Sequence, residues 1–171
     1  MSLQQAKRLA ELREEITVAS KGLSTFHQDF RKQMDDQVLS GFTDYLEANG
    51  FAVSKSKSGA QGEYKDLKIK LVLAGPEDAF LGIYHSFEIW VNDKKKDVTI
   101  KPFFSGTPSR SPVRSGDSIQ MLEEDLQLIK EELANKSLTG FNFDCTQRPI
   151  KQGAQPVIKD SVAEVVDYFL S

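Results

Sequence analysis

The residues able to do chemistry in this chain are few and scattered. Its two histidines, His27 and His85, and its single cysteine, Cys145, stand far apart in sequence, so none has the close partner expected of a zinc site or a cysteine–histidine nucleophile. His85 falls on the apolar side of an alternating segment, where a buried, hydrogen-bonded histidine is the ordinary outcome. There is no Ser-His-Asp order and no Gly-x-Ser-x-Gly elbow. The enzyme reading with most in its favour is a metal-dependent nuclease, with Asp66 and Glu88 holding Mg²⁺ beside Lys68 or Lys70. Its spacing is poor, because such a site wants a lysine two residues beyond the second acid, and that position is Trp90. Paired charges on an exposed strand face account for Asp66 and Glu88 without catalysis. The expectation is therefore a non-enzymatic protein with no cofactor and no metal.

A second constellation fits binding better. A two-residue period places Lys68, Lys70, Tyr84, Glu88, Trp90, Thr99 and Lys101 on one surface, and aromatic rings among lysines suit the anchoring of a protein partner or stacking on bases. Lys68, Lys70, Tyr84, Trp90 and Lys101 are the candidate partner-binding residues of this surface. The chain carries a net charge of −3, which favours a protein partner or self-association, with a nucleic-acid-associated protein as the alternative. That sum hides a gradient: residues 51–115 hold eleven Lys/Arg against seven Asp/Glu, and residues 116–171 hold five against ten. Such asymmetry reads either as an anionic partner or as complementarity within the chain.

The elements that must position this surface lie in residues 64–104. Leu67, Ile69, Leu71 and Leu73 share one side of a strand, as do Leu81, Ile83, His85, Phe87, Ile89 and Val91 of the next and Val98, Ile100 and Phe104 of a third. Asn92 to Lys96 has the composition of a hairpin connection, and Pro102 should end the third strand or lie at a sheet edge. Short connections and one-sided alternation predict an antiparallel meander covered by helices on its apolar face.

Before the meander, Leu9, Leu12, Ile16, Ala19, Leu23, Phe26 and Phe30 recur at gaps of three and four, a heptad stripe that predicts a long, partly coiled-coil-like helix. Leu9, Leu12 and Ile16 are candidate partner-binding residues of this arm. Pairing two copies in parallel would oppose Arg8 to Arg13 and bring no attractive ion pair, so packing within the chain or antiparallel packing is favoured over a parallel self-zipper, with a foreign helix next. A kink or break is expected near Gly22, which sets an arm of residues 1–22 and a globular domain of 23–171. Met34, Val38, Phe42 and Leu46 then form a core-facing stripe, closed by Asn49-Gly50.

Phe51-Ala52-Val53 begins a short strand that runs into residues 54–62, a flexible, basic, hairpin-like loop, and 105–116 is a long loop in which Thr107-Pro108 and Ser111-Pro112 resemble proline-directed phosphorylation sites. Asp117 is placed to cap a helix carrying Ile119, Leu122, Leu126, Ile129 and Leu133; Phe141 to Cys145 alternates as a strand; Ser161 to Glu164 is a capping box opening a last helix. The fold expected is an α+β two-layer sandwich. One unpaired cysteine, no apolar N-terminal run and no segment long enough for a bilayer predict a cytoplasmic protein without membrane attachment.

Overall fold

The computed structural model describes residues 2–75, 85–106, 118–147, 149 and 153–171. The elements are α1 (Leu3–Ala48), β1 (Ala52–Ser56), β2 (Gly59–Tyr64), β3 (Leu67–Leu73), β4 (His85–Val91), β5 (Lys94–Ser105), α2 (Ile119–Asn135), β6 (Ser137–Asp144), β7 (Ile158–Lys159) and α3 (Val162–Leu170). The seven strands form one open antiparallel sheet in chain order. With its helices the chain is an α+β protein, as the alternation predicts. Its residues divide into two compact units, 1–30 with 103–139 and 31–102 with 140–171.

In the first unit the start of α1 lies against α2. Arg8 Nη2 meets Glu123 Oε1 at 3.0 Å, and Glu15 Oε2 meets Lys130 Nζ at 3.8 Å. One heptad on the first helix corresponds to one heptad on the second, so the two segments run in the same direction. Leu12 and Ile129 are completely buried and Leu126 nearly so. α1 passes through Gly22 without the expected break, and that glycine lies against Leu133, whose Cδ1 would be 3.7 Å from an added Cβ. Ser118 caps α2, its Oγ accepting from the Met121 N–H at 3.2 Å. Asp117, expected in that role, lies outside the described residues, as do both phosphorylation-like dipeptides.

The second unit is built on the apolar face of the sheet. Ile69, Leu71, Phe87, Ile89, Val98 and Ile100 are buried on the side the two-residue period assigns them. From α1 come Met34, Val38, Phe42 and Leu46, and from α3 Val162, Val165 and Val166, all buried. Each such side chain contributes about 1.5–3 kcal/mol relative to exposure, so this layer dominates the stability of the unit. α1 ends where expected: Gly50 takes φ +80°, the Phe51 N–H reaches the Leu46 carbonyl at 3.0 Å, and the Gly50 N–H reaches that of Glu47 at 3.0 Å. This double closure satisfies carbonyls the helix leaves open. The capping box of α3 forms too, with Ser161 Oγ accepting from the Glu164 N–H at 3.2 Å.

Three local expectations differ from the structure. The short strand begun at 51–53 and the hairpin-like 54–62 do form a hairpin, but 54–62 is mostly strand and not a loop, since β1 and β2 pair rung for rung from Ala52↔Glu63 to Ser56↔Gly59. The connection at Asn92 is only two residues long, with Asn92 and Asp93 at φ +44° and +66°; two left-handed central residues match the twist of a tight hairpin, so Lys94 to Lys96 already belong to β5. β5 also runs on through Pro102 to Ser105. Among the described residues its register with β4 runs from Val91↔Lys94 to His85↔Ile100.

Candidate functional site

The face of the sheet opposite the core carries the candidate surface. The strand registers set Ser54, Gln61, Lys70, Trp90 and Lys95 in one cross-strand row and Ser56, Gly59, Val72, Glu88 and Asp97 in the next. Trp90 is half-buried, flanked by Lys70 on β3 and Lys95 on β5. Its indole N–H donates to Glu88 Oε2 at 2.9 Å, which holds the ring against the sheet by its edge. Glu88 in turn takes Lys95 at 2.5 Å, and hydrogen bonding to Glu88 is the main reason the Lys95 ammonium is held above its ordinary range. Two shallow depressions meet at Val72: one of about 300 Å³ lined by Ser54, Ser56, Ser58, Gln61 and Lys70 among others, and one of about 210 Å³ between Ser86, Glu88 and Asp97.

Of the five sheet residues expected to bind a partner, Lys68, Lys70, Trp90 and Lys101 are on this face, and Tyr84 lies outside the described residues. They differ in charge environment. Lys68 is 3.4 Å from Glu63, and Lys101 is 2.7 Å from Asp144. Burial alone would raise the Asp144 carboxyl, but hydrogen bonds from Lys101 and Thr146 outweigh it and hold the group below its ordinary value. Lys70 is exposed and makes no ion pair among the described residues. Most of the positive charge on this face is therefore matched locally, an arrangement unlike the uncompensated stripe that phosphate binding requires. Sequence reasoning missed Lys95, Gln61 and Ser54. The three lysines from 94 to 96 resemble a polar connection, and only the shortness of the Asn92-Asp93 turn brings Lys95 beside Trp90.

The acidic pair of the nuclease reading is not assembled. Asp66 sits in the turn between β2 and β3, while Glu88 lies opposite Val72, six residues along β3. At about 3.3 Å per residue this is on the order of 20 Å, against the few ångströms that separate carboxylates sharing a cation. Among the described residues no three His, Cys, Asp or Glu side chains gather where a metal could be held.

Both histidines have carboxylate partners. His85, on β4, is 3% exposed, and its Nε2 bonds the Asp35 carboxylate of α1, while Nδ1 is buried with no partner among the described residues. In the first unit His27 Nε2 lies 3.6 Å from Glu132 Oε1, an oxygen that also takes Lys136 Nζ at 2.6 Å. Glu132 and Lys136 are both almost fully buried, and the Lys136 ammonium stands 4.7 Å from the centre of the Phe104 ring. Burial and the Lys136 charge push the His27 pKa down, against the pull of Glu132. Of the three arm residues expected to bind a partner, Leu12 is fully buried within the chain, and Leu9 and Ile16 are half-buried.

The chain matches no family model, no curated protein and no solved structure. No helix among the described residues is long and apolar enough to cross a membrane.

Proposed function

We propose that this chain is a cytoplasmic, non-enzymatic interaction module that holds a protein partner on the outer face of its sheet, with Trp90 as the anchor and Lys70 as its nearest open charge. The observation that carries this reading is the state of Trp90. A large aromatic ring, fixed by a hydrogen bond to Glu88 and left partly open between two lysine-bearing strands, has the rigidity and amphipathic character of interface hot spots. The charge pairing of Lys68, Lys95 and Lys101 with carboxylates favours a protein over a nucleic acid. The arm contributes differently. Its heptad stripe is read as a coiled-coil-like seam with α2 of the same chain, so self-association through residues 1–22 is the lesser expectation.

The test compares the full chain with Trp90→Ala. Partner affinity should fall by roughly 2 kcal/mol or more, while stability should fall well short of the about 3–5 kcal/mol lost when a core aromatic is removed. A variant that binds as the parent does overturns the anchor. Tight binding of duplex or single-stranded nucleic acid that weakens steeply with salt would move the function to the alternative.

A further inference from the structure

Two packed helices cover each other along one line and leave the flanks of that line open. Between α1 and α2 the line is Leu12, Leu126 and Ile129, which are buried, while Leu9, Ile16, Ala19 and Leu23 of the same stripe stay half-buried. One flank holds a groove of about 500 Å³, lined by Glu11, Glu14, Glu15, Val18 and Ala19 of α1 and by Lys130 of α2. Its floor is apolar and low. Val18 is 67% exposed in the middle of a long helix, and side chains as short as Val18 and Ala19 let a neighbouring helix come close. The rim is acidic, with three carboxylates and one lysine. Lys130 stands 3.8 Å from Glu15, and Arg8 stands 3.9 Å from Glu11 and 3.4 Å from Glu15. Such exposed pairs are weak and readily exchange partners. Glu14 is exposed and has no partner among the described residues.

Independently of the outer-face reading above, we propose that this groove takes a basic amphipathic helix of a protein partner, laid along α1 as a third helix of the seam. Apolar side chains of that helix cover Val18 and Ala19. Its lysines or arginines, one and two turns nearer the start of α1, reach Glu14 and Glu11, because residues three and four apart on α1 form one continuous strip. Charge selects this occupant. Three carboxylates on the rim repel phosphate, which rules out nucleic acid and an anionic lipid surface as the natural ligand. A second copy has no suitable helix to offer: α1 carries six Lys/Arg against eight Asp/Glu, α2 one against five, and α3 none against two.

The experiment uses the full chain and two capped synthetic peptides of about 18 residues, long enough to form a helix on binding, with leucine at alternating gaps of three and four and either lysine or glutamate elsewhere. Methyl NMR signals of Val18 and Ala19 and the fluorescence of Trp90 are followed together. The lysine peptide should bind one per chain, shift both methyl signals and leave Trp90 unchanged. The glutamate peptide should bind at least about tenfold less tightly, a difference of about 1.4 kcal/mol. Glu14→Lys and Val18→Gln, both at exposed positions and both keeping the parent's circular dichroism, should each weaken the lysine peptide by about tenfold, whereas Glu47→Lys, the same reversal near the other end of α1, should not. Equal weakening by Glu14→Lys and Glu47→Lys would mean that net charge alone is read, and the groove proposal fails. A lysine peptide that changes Trp90 but neither methyl signal sits on the outer face, and one that binds nowhere has no groove to fill; both results overturn the proposal and leave the outer-face reading standing. Methyl shifts that appear without peptide and grow with protein concentration assign the groove to a second copy and overturn the partner helix.

Discussion

Two side chains lend themselves to direct measurement. Cys145 has no exposed surface, and burial, aided by the neighbouring Asp144, pushes its thiol up to about 11. Since the thiolate is the reactive form, native protein should not label with a thiol reagent at pH 8 and should label fully once unfolded; rapid native labelling would show that the site opens. His27 gives a sign that can be checked. Its folded pKa lies below the ordinary 6.5, so as pH falls the unfolded chain takes up this proton first. The stability it protects is complete above pH 6.5 and drains away as pH falls through the depressed folded value. Chemical denaturation between pH 7.5 and 5 should show that decline, and His27→Gln should flatten it; an unchanged slope in the variant would assign the dependence to other groups. Trp90, His85 and the core residues of β3 to β5 were legible in the sequence because a two-residue period needs only side-chain polarity. The partners of His85 and His27 were not, because Asp35 and Glu132 come from helices distant in the chain.

At the scale of elements, the stripe on α1 was visible, but its partner emerged only in the structure. The pairs that would oppose each other in a parallel homodimer give way within the chain to Arg8 with Glu123 and Glu15 with Lys130, whose common direction no spacing in the sequence reveals. This seam ends at a buried charge pair, Glu132 with Lys136. Breaking such a pair leaves one charge unmatched, so Lys136→Met should cost about 3–5 kcal/mol. The double variant Glu132→Leu, Lys136→Met should regain most of that loss in urea unfolding. If the double variant is as unstable as the single one, the pair is not the reason. That most of the 54–62 hairpin is strand was illegible for a different reason. Its serines, lysines and glycines carry no alternation, and the glycines look like loop residues. They are there for space: a Cβ on Gly59 would collide with the Leu71 carbonyl oxygen, and one on Gly62 would come within 2.5 Å of Leu46 Cδ1.

For the molecule as a whole, the sequence-based division at residue 22 and the observed units differ in kind. α1, β5 and β6 each supply residues to both units, so neither unit can lose its structure without fraying elements of the other. Thermal unfolding should therefore be a single transition by calorimetry and by circular dichroism, with calorimetric and van't Hoff enthalpies in agreement. Two resolved transitions would show that the shared elements break in the middle. The same interleaving has a consequence during synthesis. Residues 31–102 are made after the α1 stripe and before α2, so on the ribosome Leu12, Ile16 and Leu23 emerge long before the helix that covers them exists. For that interval the nascent chain displays an uncovered apolar stripe, and a chaperone that recognises such stripes should associate with ribosome-bound chains until α2 has emerged and release them afterwards.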